Sequence, residues 1–186
     1  MSGRRPENLV VTVGGLHGTG KSTYAKALSR IYRLRHISAG ELFRQIAKER
    51  GISLRDLTYL TKGDRAVDEV VDGRIKDAAE KGSVVIDGLL AAFMASDRAN
   101  VKIFLVAPDE ARFRRIAHRD KISFEESQRL TLERERVERE RYMKYYNLNI
   151  GDLSVYAIVL NSGWLSLQSN INVLAKVIDE YIKCKM

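Results

Sequence analysis

An apolar run, Leu9 to Val13, leads directly into Gly15-Leu16-His17-Gly18-Thr19-Gly20-Lys21-Ser22, and a helical pattern begins at once. The segment fits G-x-x-x-x-G-K-[ST] at every fixed position and in the required strand–loop–helix context. Its glycines let the backbone curl so that successive N–H groups converge on a phosphate, and the helix that follows adds the positive end of its dipole. Gly15, Leu16, His17, Gly18, Thr19, Gly20, Lys21, Ser22 and Thr23 are therefore expected to wrap the phosphates of ATP. Lys21 is expected to reach the β- and γ-phosphates and the Ser22 hydroxyl to ligate Mg²⁺. His17 is read as a loop filler with no part in proton transfer, because neighbouring backbone does the phosphate work.

A strand that feeds such a loop belongs to a βα unit, and the rest of the chain repeats the alternation. Val84 to Ile86 and Val101 to Val106 read as further buried strands, with shorter ones at Arg35 to Ile37 and Tyr156 to Leu160. Helical patterns cover Ser22 to Tyr32, Gly40 to Arg50, Leu54 to Leu60, Asp64 to Lys81, Pro108 to His118, Phe124 to Tyr146 and Leu167 to Cys184. Ser53 with Asp56 and Ser123 with Glu126 look like capping boxes. The expected fold is α/β: a five-stranded parallel sheet with helices on both faces and ligands at the carboxyl ends of the strands. Asp87 ends the second long strand there, suited to hold Mg²⁺ or its waters.

With 186 residues and 45% hydrophobic content, one core is expected. The polar run Met1 to Asn8 and the short apolar stretch after it provide neither a signal peptide core nor a membrane span. The single cysteine, Cys184, rules out an intrachain disulfide and a multi-cysteine metal site. A cytoplasmic protein, monomer or homodimer, is expected. The net charge of +8 suits a polyanionic partner without choosing between nucleotide and nucleic acid.

Beyond the phosphate loop, Ile37-Ser38-Ala39-Gly40-Glu41-Leu42-Phe43-Arg44 resembles the Ser-Ala-Gly-x-x-Phe-Arg segment of archaeal-type cytidylate kinases, relatives of the adenylate kinases. Val67-Asp68 through Asp72-Gly73-Arg74, Val101 to Asp120, Glu133 to Tyr142 and Asp152 to Tyr156 are similar as well, in the family's order. The resemblance implies a P-loop nucleoside monophosphate kinase with a core at 9–37, 84–120 and 155–186, acceptor-binding helices at 38–81 and a lid at 121–150. It implies transfer from ATP·Mg²⁺ to a nucleoside monophosphate, with CMP or dCMP as the expected acceptor. Ser38, Gly40, Arg44, Asp72 and Arg74 would bind the acceptor, and Arg119, Arg134 and Arg141, with Lys21, would close over the transferring group. The resemblance sets Trp164, in the loop after the last strand, beside the adenine; a partly buried packing residue is the preferred reading.

Two positions depart from the family pattern. The arginine that follows the strand-ending acid is replaced by Leu89-Leu90 after Asp87-Gly88, and Tyr-Asp before the last strand reads Tyr156-Ala157. A different small acceptor, or an ATPase role in RNA or ribonucleoprotein assembly, therefore stays open at this point. No interleaving of aromatic and basic residues suited to RNA stacking is present, so a nucleic-acid partner is not favoured.

Overall fold

The computed structural model describes residues 8–185; the polar N-terminal run read above lies outside the described residues apart from Asn8. Five parallel strands form one sheet: β1 (Val10–Gly15), β2 (Arg35–Ser38), β3 (Val84–Asp87), β4 (Val101–Val106) and β5 (Ile158–Asn161). Their order across the sheet is β2-β3-β1-β4-β5. The chain leaves central β1 toward one edge, returns through β3 and crosses to the other side at β4. The strand order thus reverses at β1, the position where an open α/β sheet leaves a crevice at its carboxyl end.

Helices α1 (Lys21–Ile31), α2 (Ala39–Glu49), α3 (Leu54–Leu60), α4 (Ala66–Glu80), α5 (Ala91–Ala95), α6 (Asp109–Asp120), α7 (Phe124–Tyr146) and α8 (Leu167–Lys185) surround the sheet. Side chains alternate across β1 and divide the core in two. Leu9, Val11 and Val13 pack with Tyr24, Ala25 and Leu28 of α1 and Ile171, Leu174 and Ile178 of α8. Val10, with Val84 and Ile86, meets Val67, Val71 and Ile75 of α4 together with Phe43, Leu57 and Ala91. Leu174 and Ile178 are fully enclosed, and each such side chain contributes about 1.5–3 kcal/mol.

The expected helices and strands are present with ends moved by one or two residues. Ser53 Oγ accepts from Asp56 N and Ser123 Oγ from Glu126 N, each at 3.1 Å, so both helix starts are capped as read. One α-helix had no counterpart in the sequence reading. Residues 91–95 form α5, a helix too short for a periodic pattern, whose small Ala91, Ala92 and Ala95 are buried where it packs on β1 and α4. Trp164 corrects a further expectation: it is 84% exposed and packs into nothing. Among the described residues no helix is long and apolar enough to cross a membrane.

Candidate functional site

Register brings the site together. Val13 of β1 lies opposite Asp87 of β3 and Ile103 of β4, so the loop after β1 begins beside the carboxylate that ends β3. Gly15 takes φ +139° and Gly18 φ +78°; a Cβ at the first would stand 2.5 Å from Leu105 O and at the second 2.5 Å from Arg112 O. Only glycine fits either place. The α1 N-terminus has no side-chain cap, and among the described residues the amides of Gly18, Gly20, Lys21 and Ser22 donate to no group of the chain. Four convergent unpaired N–H groups at a helix start make an anion cradle.

Lys21 Nζ curls back to donate to Leu16 O at 2.9 Å. Burial lowers its pKa to about 8, against the pull of Asp87 and Glu138, so the ammonium is short of negative charge in the ligand-free chain. Ser22 Oγ donates to Asp87 Oδ1 at 3.0 Å, and Ser38 Oγ donates to the same oxygen at 2.9 Å while capping α2. His36 Nε2 meets Asp87 Oδ2 at 2.9 Å from the side away from the cleft. A hydroxyl and a carboxylate side by side next to a phosphate cradle are the hard oxygen donors that suit Mg²⁺.

A cavity of about 530 Å³ opens above the loop. Its walls include His17, Gly18, Gly20, Lys21, Ser22 and Thr23 on one side, and Gly40, Arg44 and Asp72 on the other, with Asp87 and Gly88 between them. Arg119, Arg134 and Arg141 also reach it. Arg44 forms no ion pair or hydrogen bond through its side chain among the described residues. Partial burial, then the charges of Arg119 and Arg134, shift its guanidinium below the ordinary value. Arg119 is held by Asp120 through two 2.7 Å bonds, and Arg134 Nε by Glu138 at 2.8 Å. Arg141 is buried and committed: it bonds Thr61 Oγ1 and the Tyr142 hydroxyl, and its Nε lies 3.2 Å from Asp68 Oδ2.

Several expected site residues lie elsewhere. Arg74 is outside this cleft; it lines a separate cavity beside β2 with Arg35, Asp77 and Lys81. The cause is helical phase: Asp68, Val71, Asp72 and Ile75 form the inner face of α4, and Arg74 falls on another. Leu16 and Thr19 border a third cavity on the far side of the loop, and Gly15 and Ser38 are enclosed beneath the cleft wall. The missing arginine after Gly88 is not replaced from nearby sequence. Leu89 and Leu90 line the cleft and pack toward Phe104, Tyr142 and Ile150.

The phosphate loop is also braced by charged side chains of α6 and α7. Arg112, 2% exposed, donates to His17 O at 2.8 Å and to Glu135 Oε1 at 2.6 Å. Glu135 Oε1 accepts from His17 N at 3.1 Å, and the His17 imidazole reaches Glu138 Oε2 at 2.8 Å. Burial lowers the His17 pKa, against the pull of Glu138. Burial would raise Glu138, but His17 and Arg134 outweigh it and hold the carboxyl well below its usual range. Arg115 closes the other side, with Nη2 donating to Ser162 O at 3.0 Å and Nη1 to Gly18 O at 3.3 Å. Thr131, Glu135, Glu138 and Tyr142 follow the 4-3-4 spacing of a buried helix face, the one sequence signal that marked these glutamates as enclosed.

Comparison with known proteins gives a consistent match. Residues 10–163 match the model of the cytidylate kinase-like family. The chain is similar to a cytidylate kinase of Staphylothermus marinus, with 38% identity covering 94% of this chain and 99% of that one. It is 43% identical to a cytidylate kinase of Thermococcus sibiricus over 83% of this chain and 79% of that one. Among solved structures, a shikimate kinase from Bacteroides thetaiotaomicron superposes with TM-score 0.60 at 18% identity, over 92% of this chain and 98% of that one. A gluconokinase from Sinorhizobium meliloti gives 0.59 at 17%, over 98% and 100%. These two likenesses concern the fold.

Proposed function

The chain belongs to the cytidylate kinase-like family, and from that premise we propose that it transfers the γ-phosphoryl group of ATP to CMP or dCMP, giving ADP and CDP or dCDP. The observation that carries this reading is the gathering of Lys21, Arg44, Arg119 and Arg134 on one cavity above unpaired loop amides, with Arg44 lacking any anionic partner among the described residues. Cations gathered in this way above unpaired amides suit a ligand with more than one phosphate group.

ATP lies with its β- and γ-phosphates in the loop of residues 15–23, bound by backbone amides and Lys21. Ser22 and Asp87 are the residues that would hold Mg²⁺, which would supply positive charge to neutralise the charge developing on the transferring phosphate. Arg44, with the inner face of α4, binds the acceptor and takes over the phosphate contact that Leu89 cannot make. An oxygen of the acceptor phosphate attacks the γ-phosphorus in line. The bond to the β,γ-bridging oxygen breaks, and ADP leaves with that electron pair. The attacking oxygen is already anionic, so no general base is required. Arg119 and Arg134 exchange their carboxylate partners for the equatorial oxygens of the transferring group. Arg141 acts at one remove, fixing α7 against α3 and α4. The helix carrying Arg134 also shields the site from water, which would otherwise take the phosphoryl group.

A coupled assay with ATP and a panel of CMP, dCMP, UMP and AMP tests the reading. Turnover with CMP or dCMP well above ATP hydrolysis alone is expected; hydrolysis that no nucleotide stimulates would overturn it.

A further inference from the structure

Asp68 is the one acidic side chain of the cleft wall without a hydrogen-bond donor among the described residues, its only partner being the ion-paired Arg141. It sits on the inner face of α4, is 6% exposed and lines the cavity with Val71, Leu89 and Leu90. Neither of its carboxylate oxygens has a hydrogen-bond donor among the described residues. Arg141 Nε is 3.2 Å from Oδ2, an ion pair whose alignment falls outside hydrogen-bond geometry. Asp72, one turn further on, is different: its Oδ2 accepts from the Tyr146 hydroxyl at 2.5 Å. An enclosed carboxylate without a donor weakens a fold, so its place on the wall of a ligand cavity points to a donor that arrives with the ligand.

We infer that Asp68 is the residue that selects the acceptor base, accepting a hydrogen bond from an exocyclic amino group at the position where uracil carries a carbonyl oxygen. The inference rests on the nucleoside monophosphate kinase reading above. An ionised carboxylate is an acceptor only. It attracts the 4-amino group of cytosine and repels the O4 of uracil, whose lone pairs would face its own with no proton between them. The apolar side chains of Val71, Leu89 and Leu90 line the same cavity and offer surfaces on which a base ring can pack beside this contact. The Arg141 guanidinium, 3.2 Å from Oδ2, favours the ionised carboxylate.

The charged groups facing Asp68 are Arg141 and Glu138 from α7, Asp72 from its own helix and Arg65 at the start of that helix. Burial is the strongest influence and raises its pKa to about 6 against the pull of Arg141. Above that pH the group is a pure acceptor. Below it the carboxyl acquires a donor and can satisfy either a carbonyl or an amino group.

The experiment measures the ratio of kcat/KM for UMP to that for CMP, a quantity that cancels the active fraction of enzyme and the shared phosphate titration. Asp68→Asn replaces the acceptor-only group with an amide that can turn either way, and the ratio is expected to rise by at least about tenfold. In the unaltered enzyme the same ratio is expected to rise as pH falls from 7.5 to 5.5, with no such rise in Asp68→Asn. If the variant does not fold, the pH profile of the unaltered enzyme decides alone. A ratio unmoved by the substitution, or flat across that pH range, overturns the inference. Failure of the unaltered enzyme to phosphorylate CMP or dCMP would instead overturn the kinase reading on which it rests.

Discussion

The two halves of the cleft are built differently. On the donor side one continuous stretch, Gly15 to Thr23, builds the loop whose free amides at Gly18, Gly20, Lys21 and Ser22 form the cradle, and the glycines at 15 and 18 are demanded by positive φ and by carbonyl oxygens 2.5 Å away. On the acceptor side the wall is made of single side chains from α2, α4, α7 and the turn after β3, each set by helical phase and by what its neighbours leave unpaired. A backbone cradle tolerates almost any filler in its variable positions, His17 included. A side-chain wall can exchange an arginine for Leu89 and recover the charge from another element. Divergence is therefore cheap on the acceptor side and expensive on the donor side.

The largest effect that tests this contrast lies at Lys21. Replacing it with methionine is expected to lower kcat by about 10³-fold, the loss of a preorganised charge at the transferring phosphate. The same change is expected to stabilise the ligand-free protein. The Lys21 pKa of about 8 lies below the ordinary 10.5. The cost of burying the ammonium is therefore present in full below pH 8 and disappears as pH rises toward 10.5. At pH 7 the gain is on the order of 1–3 kcal/mol, read as a higher thermal midpoint without nucleotide. A variant that melts lower and keeps its turnover would remove the loop from its role.

Arg44→Ala probes the other half. It is expected to raise the KM for the acceptor by about tenfold to a hundredfold, with the KM for ATP changed little, because a charge-assisted contact to phosphate contributes about 1.5–3 kcal/mol. Equal weakening of both substrates in steady-state kinetics would mean that the two halves share this side chain and are not separate.

The donor half was legible because its chemistry is contiguous: a strand, a fixed glycine spacing and a helix are all adjacent in the chain. Asp87 was legible for the same reason, standing at the end of an apolar run. The supports of that loop were not. Arg112, Glu135 and Glu138 come from α6 and α7, where charged residues alternate so densely that pairing with solvent or with a neighbour four residues away explains them equally well. Burial alone separates these residues from exposed Arg136 and Glu140 on the same helix. Asp68 was visible as part of a family-like segment, but its lack of a hydrogen-bond donor is a property of three dimensions. Trp164 was read as partly buried, whereas the turn after β5 leaves it in solvent.

A gentler test of the donor half uses pH alone. Lys21 gives up its proton at about pH 8 in the ligand-free chain, and bound polyphosphate raises that value. Binding above pH 8 must therefore take up a proton. The dissociation constant for ATP is expected to be insensitive to this group below pH 8 and to rise by up to about tenfold per unit above it, until the pKa of the complex is reached. Calorimetry from pH 7 to 9.5 measures this directly. Lys21→Met should remove the slope; a slope that survives the substitution belongs to another group.

The smallest expected effect is at Arg74, which the family resemblance assigned to the acceptor and the structure sets beside β2 in another cavity. Its guanidinium makes no side-chain hydrogen bond or ion pair within the described residues, and the inner face of α4 passes it by. Arg74→Ala should leave the acceptor KM within about twofold, the change a solvated cation produces through long-range attraction alone at physiological salt. A tenfold rise would mean that α4 rotates, or α2 moves aside, when the acceptor binds. The acceptor half would then be assembled by its ligand, whereas the donor loop is already formed without one, and the contrast between the halves would become one of preorganisation as well as of construction.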